Sequence, residues 1–375
     1  MKRVIISIFL LLLFTFNLNN KAAAEENQMS AYILIEAETG AVLEEKNSDI
    51  PLNAGYMTKL MSLLLIAEDI ETGRYNLSTV LTASKSVSGT KGSVIWLEPG
   101  DSMTVDELLK SIIIGNANDA LTVLAERSEG TVENFTARMN SEAFDMKLRS
   151  AAFYSPYGYD CEKEKISAHD IAKICRKLSK FSFMEEYFRT WRDFVKEGTV
   201  ELVNENYLAR TFEPNTGFKA CHSELSGYCA AIAGKNNDGT VYITVILGSE
   251  SEESSIPSAK QLVKKGFSDF KVTTPGFNDE FLRPVKVKNG VDSAVEICLR
   301  NQSVIVVPKG VTELSNVIFV PEYLEAPLYK GQKIGTAAFY NGDTLVYETD
   351  IIVQNNVNKL SFKYVFRKIL SSFTN

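Results

Sequence analysis

Three short clusters of polar residues in this 375-residue chain have the types and spacing of a reaction centre. The first is Gly55-Tyr56-Met57-Thr58-Lys59, where a hydroxyl precedes a lysine by three positions. Residues three apart share a helix face, so Lys59 stands where it would take a proton from a nucleophile at position 56. The second cluster, Gly115-Asn116-Ala117-Asn118-Asp119, follows about sixty residues later. The third, Asn215-Thr216-Gly217-Phe218-Lys219, lies about a hundred residues further on and reads as a strand, on which positions 215, 217 and 219 share a face. A carboxylate needs one positive charge and one or two hydrogen-bond donors. Lys219 and Thr216 would supply them, with Asn118 holding a neighbouring amide. Lys219 has a second reading, as a solvated lysine on a strand edge.

The order and spacing of these clusters resemble the S-x-x-K, S-x-N and K-T-G motifs of the serine D-alanyl-D-alanine carboxypeptidases, the low-molecular-weight penicillin-binding proteins. Each motif lacks its leading residue: Tyr56 replaces the first serine, Asn116 the second, and Asn215 the lysine. The intervening text carries the likeness. Ala31 to Gly40 resembles the opening hairpin of that family, Lys91 to Asp101 the segment before its second motif, and Val105 to Ile114 the helix that delivers the motif. Ser155-Pro156-Tyr157-Gly158-Tyr159-Asp160 resembles N-P-H-G-L-D, and Ser223 to Cys229 the residues after the K-T-G strand. The resemblance runs from about Ala31 to the C-terminus.

The resemblance implies an α/β (α+β) β-lactamase/transpeptidase-like domain, no metal and no cofactor. It implies catalytic positions at Tyr56, Lys59, Asn116 and Asn118, and substrate-binding positions at Asn215, Thr216, Gly217 and Lys219. Lys59, Asn118, Thr216 and Gly217 survive as the family has them, whereas Lys219 stands where a threonine is usual. The implied partners are peptidoglycan stem peptides or cell-wall synthesis proteins. A tyrosine hydroxyl hangs roughly 4 Å further from the backbone than a serine oxygen, so a catalytically impaired homologue is expected, with Tyr56 plugging the emptied pocket. The alternative is an active or residual carboxypeptidase with Tyr56 as nucleophile, its pKa lowered by Lys59. A third class is an envelope or sporulation protein that acts only through partners.

The two ends predict where such a protein works. Lys2 and Arg3 precede an apolar run from Val4 to Phe16, and Ala22-Ala23-Ala24 offers a cleavage site, so residues 1–24 read as an export signal, an uncleaved anchor being the other reading. This segment holds three basic residues and no acid, so its removal takes the net charge from −7 to −10. An acidic body argues against nucleic acid as a partner. The last eighteen residues differ: Lys359, Lys363, Arg367 and Lys368 occur without an acid. Phe362, Val365, Phe366, Ile369, Leu370 and Phe373 share a helical face. Residues 356–375 are thus expected to lie on the outer face of the cytoplasmic membrane, packing on the protein's own body being the alternative.

Between the ends, hydrophobic patterning predicts the scaffold. Strands are expected over 31–45, 216–220, 226–234 and 240–248, and helices over 57–73, 104–128, 132–147, 167–179 and 258–266. The helix at 57–73 is apolar nearly all round, as a buried central helix must be. The first domain should span 25–271. Thr273-Thr274-Pro275-Gly276 breaks the pattern, and short strands follow over 285–287, 293–298, 304–307, 317–321, 333–339 and 344–352, giving a small all-β domain at 276–354. Five cysteines (Cys161, Cys175, Cys221, Cys229 and Cys298) form no disulfide framework. Cys221 and Cys229 are close enough to pair, although the family commonly buries a cysteine at the second of these positions. His169 is expected in a surface or capping role, and His222 near the third motif.

Overall fold

The computed structural model describes residues 29–159, 161–275, 282–300 and 303–372. The expected export signal at 1–24, Asp160, Gly276 and Phe373 lie outside the described residues, as does the side chain of Leu370. The chain divides into two compact units, to Ser268 and from Asp269.

In the first unit, strands β1 (Met29–Glu36), β2 (Val42–Lys46), β7 (Asn215–Ser223), β8 (Gly227–Lys235) and β9 (Val241–Ser249) form a sheet in the order β2-β1-β9-β8-β7. All its pairs are antiparallel, and β7 is an edge strand. Alternation sends Ala31, Ile33 and Ile35 into one core and Tyr32 into another, which Met29 at the start of the strand also joins. The first core also holds the helices α1 (Lys59–Glu71), α2 (Val105–Ile113), α3 (Asn118–Glu129), α4 (Val132–Asp145) and α5 (Ala168–Leu178). A short helix α6 (Glu185–Arg189) precedes a hairpin of β5 (Arg192–Val195) and β6 (Val200–Val203). A further turn, α7 (Leu208–Thr211), then leads into β7. The second face is covered by α8 (Glu252–Asp269), through Ile256, Ala259 and Val263. Strands β3 (Val80–Thr82) and β4 (Ser102–Thr104) pair beside the helical layer.

Helix α1 is buried along almost its whole length, Leu60 to Ala67 without a break, so no polar face marks it as amphipathic. Its far end is fixed by Asp69, a buried carboxylate that accepts from Arg74 and Arg138 at 2.8 Å each. Two expected spans change. Residues 104–128 form two helices, because the chain turns at Gly115–Ala117, where Asn116 has φ +58°. The helix expected at 258–266 runs from Glu252, with Pro257 at its sixth position, where it removes one intrahelical donor.

The second unit opens with β10 (Phe270–Thr273), which pairs with β14 (Ile305–Pro308). The expected boundary at 271 therefore cut through a strand of the second unit. Strands β11 (Val285–Lys288), β12 (Ala294–Val295) and β16 (Tyr323–Glu325) form one small sheet. Strands β13 (Ile297–Leu299), β15 (Ser315–Phe319), β17 (Lys333–Asn341) and β18 (Thr344–Val353) form another. Val285, Ile297, Ala337, Phe339, Ile351 and Val353 are among its core. A helix α9 (Phe362–Ser372) ends the described chain.

One close approach positions the start of α1. Gly158 has φ +74°, and a β-carbon there would stand 2.1 Å from the Gly55 carbonyl oxygen. Gly158→Ala is expected to destabilise the protein by on the order of 3 kcal/mol, part left-handed strain and part displacement of the turn that carries Tyr56. Thermal unfolding checks it; an unchanged melting temperature would show that the turn yields freely.

Candidate functional site

The site is assembled where α1, the turn before α3 and the edge strand β7 meet. Tyr56 sits in the single 3-10 turn Gly55–Thr58 that leads into α1. Glu164, itself buried, receives the Thr58 hydroxyl and the Tyr154 amide at 3.0 Å, tying this turn to the segment that carries Gly158. Burial pushes the Glu164 carboxyl above its ordinary pKa, opposed by those hydrogen bonds.

Lys59, the first residue of α1, is completely buried. Its Nζ donates to the Asn116 carbonyl oxygen at 2.6 Å and to Asn116 Oδ1 at 2.5 Å. The same Oδ1 accepts from Lys219 Nζ at 2.9 Å. One neutral amide oxygen therefore joins two buried lysine side chains. Asn116 Nδ2 donates in turn to Glu205 Oε1 at 3.1 Å, an exposed carboxylate beyond the strand edge. Burial holds the Lys59 amine well below its ordinary pKa, and the Lys219 charge pushes the same way.

Tyr56 offers Lys59 its ring: Nζ lies 5.1 Å from the ring centroid. The hydroxyl lies towards Gly92, 3.8 Å from where a β-carbon on that residue would be. Gly92 belongs to a loop held by the second motif. Asn118 Nδ2 donates to the Lys91 carbonyl at 2.6 Å, and the Asn118 amide to the Ser93 carbonyl at 2.7 Å. Asp119 accepts from the Ile95 amide at 3.1 Å and the Leu97 amide at 2.9 Å. Tyr159 completes the clasp, its hydroxyl donating to the Lys91 carbonyl at 3.0 Å.

Tyr56, Lys59, Asn116, Asn118 and Lys219 thus come together. Lys219 is buried and bonded to Asn116, which removes its reading as a solvated edge lysine. Asn215, Thr216 and Gly217 stand earlier on β7, and among the described residues no side-chain hydrogen bond joins them to the cluster. The register slips between Asn215 and Gly217, so the strict alternation expected along this motif is broken there. Of the five buried polar side-chain atoms without a partner among the described residues, four lie in these motifs: both amide atoms of Asn215, Thr216 Oγ1 and Asn118 Oδ1. His222 is exposed and stacks on Tyr228 at 4.2 Å. His169 lies on the surface side of its helix, 2.9 Å from Asp49, while Ser167 caps the helix through the Asp170 amide. Among the described residues no cluster of His, Cys, Asp and Glu is arranged for a metal.

Residues 18–251 match the peptidase family described as D-alanyl-D-alanine carboxypeptidase. The chain belongs to that family. Residues 270–359 match the C-terminal domain of penicillin-binding protein 5. Over 353 residues the chain is 28% identical to the D-alanyl-D-alanine carboxypeptidase DacF of Bacillus subtilis (strain 168), covering 93% of this chain and 90% of that relative. It is 27% identical over 343 residues to DacC of Escherichia coli (strain K12), covering 88% and 85%. The penicillin-binding protein 5 structure from Haemophilus influenzae aligns with a TM-score of 0.80 at 23% identity, covering 88% of this chain and 98% of that one, which shows a shared fold.

This member of the carboxypeptidase family has site neighbours that motif spacing did not reveal. Glu205 and Glu164 carry no local signature and reach the site only through tertiary contact. Asp119 was readable, because an acid directly after Asn118 at a helix start has loop amides within reach.

The buried lysine predicts a pH response. Because the folded state holds Lys59 below its unfolded pKa, the unfolded chain binds more protons between the two values, and stability rises with pH across that window. Lys59→Met removes the contribution. The variant should be relatively most stable near about pH 7 and lose ground to the parent towards about pH 10, the ordinary lysine range. Paired thermal melts read the trend; a constant difference would mean that Lys59 titrates alike in both states.

Proposed function

We propose that this protein is an exported carboxypeptidase homologue that binds D-alanyl-D-alanine ends of peptidoglycan stem peptides and does not turn them over. The observation that carries the reading is the position of Tyr56: it gives Lys59 a ring face, and the amine is engaged by Asn116. No short hydroxyl stands at that position for Lys59 to deprotonate. Loss of a serine nucleophile costs on the order of 10⁶ in turnover. From about 10 s⁻¹ this leaves roughly one event per day. Binding has more support. Lys219 is a fixed cation on an edge strand, and a peptide laid along such an edge finds backbone partners. Thr216 Oγ1 and both Asn215 amide atoms are unspent on the same strand, and Asn118 Oδ1 is unspent opposite.

Fluorescent penicillin followed by intact mass tests the chemistry: no covalent adduct is expected on the wild type. Tyr56→Ser alone should restore little, because such residues act as a unit. Tyr56→Ser with Asn116→Ser, Asn215→Lys and Lys219→Thr should restore acylation. An adduct mapped to Tyr56 overturns the reading and returns the protein to the active carboxypeptidases. Binding is tested by NMR titration of a muramyl pentapeptide analogue, with weak affinity and its loss in Lys219→Ala expected. Unmoved shifts at about millimolar peptide would close the groove as a binding site.

The same reading places the protein on a membrane surface through α9. Phe362, Val365, Phe366 and Ile369 are all exposed, with Lys363, Arg367 and Lys368 between them. None of the described helices is long and apolar enough to cross a membrane. An interfacial helix beside basic side chains favours anionic lipid. Vesicle binding should rise with anionic lipid, fall with salt and vanish on truncation before Asn358. Equal binding by the truncated protein would count against it.

A further inference from the structure

We propose that Cys221 and Cys229 are a cross-strand thiol pair that closes to a disulfide on meeting a small soluble disulfide, locking the wall of the site. The two residues are direct partners in the antiparallel register of β7 and β8. Directly opposed residues in such a pair have Cα atoms about 4.5–5.5 Å apart, within the roughly 4.4–6.8 Å that a disulfide spans. Both side chains enter the same core, so they leave the sheet on the same face. Both are free thiols. The neighbouring Cys229 thiol, together with burial, pushes the Cys221 thiol above its ordinary pKa, and Cys221 in turn pulls the Cys229 thiol below its own.

Buried thiols react only if a reagent reaches them. Cys221 and Cys229 both line a cavity of about 500 Å³ at the outer edge of β7. Glu205, His222 and Tyr228 line the same cavity, so it opens beside the exposed side of the site. Cys161 is only partly buried but has no cysteine in register, and Cys175 is sealed within the helical core.

The step balances. The Cys229 thiolate attacks one sulfur of R–S–S–R and releases one RS⁻, giving a mixed disulfide. The Cys221 thiolate then attacks Cys229 and releases the second RS⁻. Two electrons pass from the cysteine pair to the reagent, and the two thiol protons leave on two RSH. The consequence is local. Cys221 lies two residues beyond Lys219, and its Sγ is 4.0 Å from the Ala54 carbonyl, next to Gly55 and Tyr56. A covalent rung between β7 and β8 at this point fixes the strand that carries Lys219 and Thr216. The proposal stands whether or not the groove holds a stem peptide.

The mature full-length protein is incubated with oxidised glutathione, denatured, alkylated with iodoacetamide and weighed intact. The reduced protein should take five labels, one for each cysteine. The oxidised protein should take three, on Cys161, Cys175 and Cys298, with a non-reduced peptide joining Cys221 to Cys229. Cys221→Ser should instead stop at one glutathione on Cys229. Five labels after oxidation, a glutathione adduct that persists in the wild type, or a link between any other two cysteines overturns the proposal.

Discussion

The site hangs on one oxygen atom. Asn116 Oδ1 accepts from Lys59 and from Lys219, two amino groups that the fold buries side by side. A buried cation without an acceptor is strongly destabilising, and two adjacent ones repel. The break between α2 and α3 puts Asn116 in reach of both lysines. A continuous helix through 114–117 would satisfy its own amides but would turn the position-116 side chain away from the lysines. The chain instead leaves the helix at a left-handed residue, a conformation asparagine tolerates better than most. The Asn116 carbonyl, released from the helical ladder, becomes the second acceptor for Lys59.

Everything that flanks this oxygen is held by polar side chains under cover. Asp119 and Asn118 gather the amides and carbonyls of the loop from Lys91 to Leu97, and Glu164 gathers those behind Tyr56. Each of these hydrogen bonds contributes only about 0.5–1.5 kcal/mol net, because most of its strength offsets the desolvation of its own groups. The net driving force lies below, in the apolar length of α1 and the two faces of the sheet. Against that background Asn215, Thr216 and Asn118 are exceptions, with buried polar atoms left unmatched at about 1–3 kcal/mol apiece. A fold that satisfies Asp69 and Glu36 fully tolerates such atoms where something else, water or ligand, completes them.

Much of this was legible in the sequence, and the reasons are specific. Helix α1 announced itself through apolar residues on every face, and β8 and β9 through long apolar runs bounded by turns. The meeting of Tyr56, Lys59, Asn116 and Asn118 followed from motif order. The division of residues 104–128 into two helices is signalled only by Gly115 and Asn116, two weak helix formers that the apolar periodicity on either side masks. The hairpin at Arg192 to Val203 was missed because its strands are short, with Phe194 and Val203 left exposed, so alternation carries little signal. Strand β16 is three residues long, too short for any periodicity. The slip at Asn215 is set by pairing with β8, which one strand's sequence cannot express.

The buried state of Lys219 changes how the three substituted motifs should be understood. Against the motifs that the sequence resembles, Asn215 stands where a lysine is expected, and Asn116 and Tyr56 where serines are expected. The structure couples two of them, Asn116 and Tyr56, while both amide atoms of Asn215 have no partner among the described residues. A serine at 116 is too short to reach both amines as the Asn116 amide does, so Asn116 and Lys219 belong together. Tyr56 then supplies what that pair leaves open, an electron-rich ring against the remaining side of Lys59. Tyr56, Asn116 and Lys219 surround Lys59 together, and each is costly to revert alone. That is a constraint of folding as much as of chemistry: the arrangement keeps two buried lysines stable in a place where its relatives' motifs put a serine, a serine and a lysine.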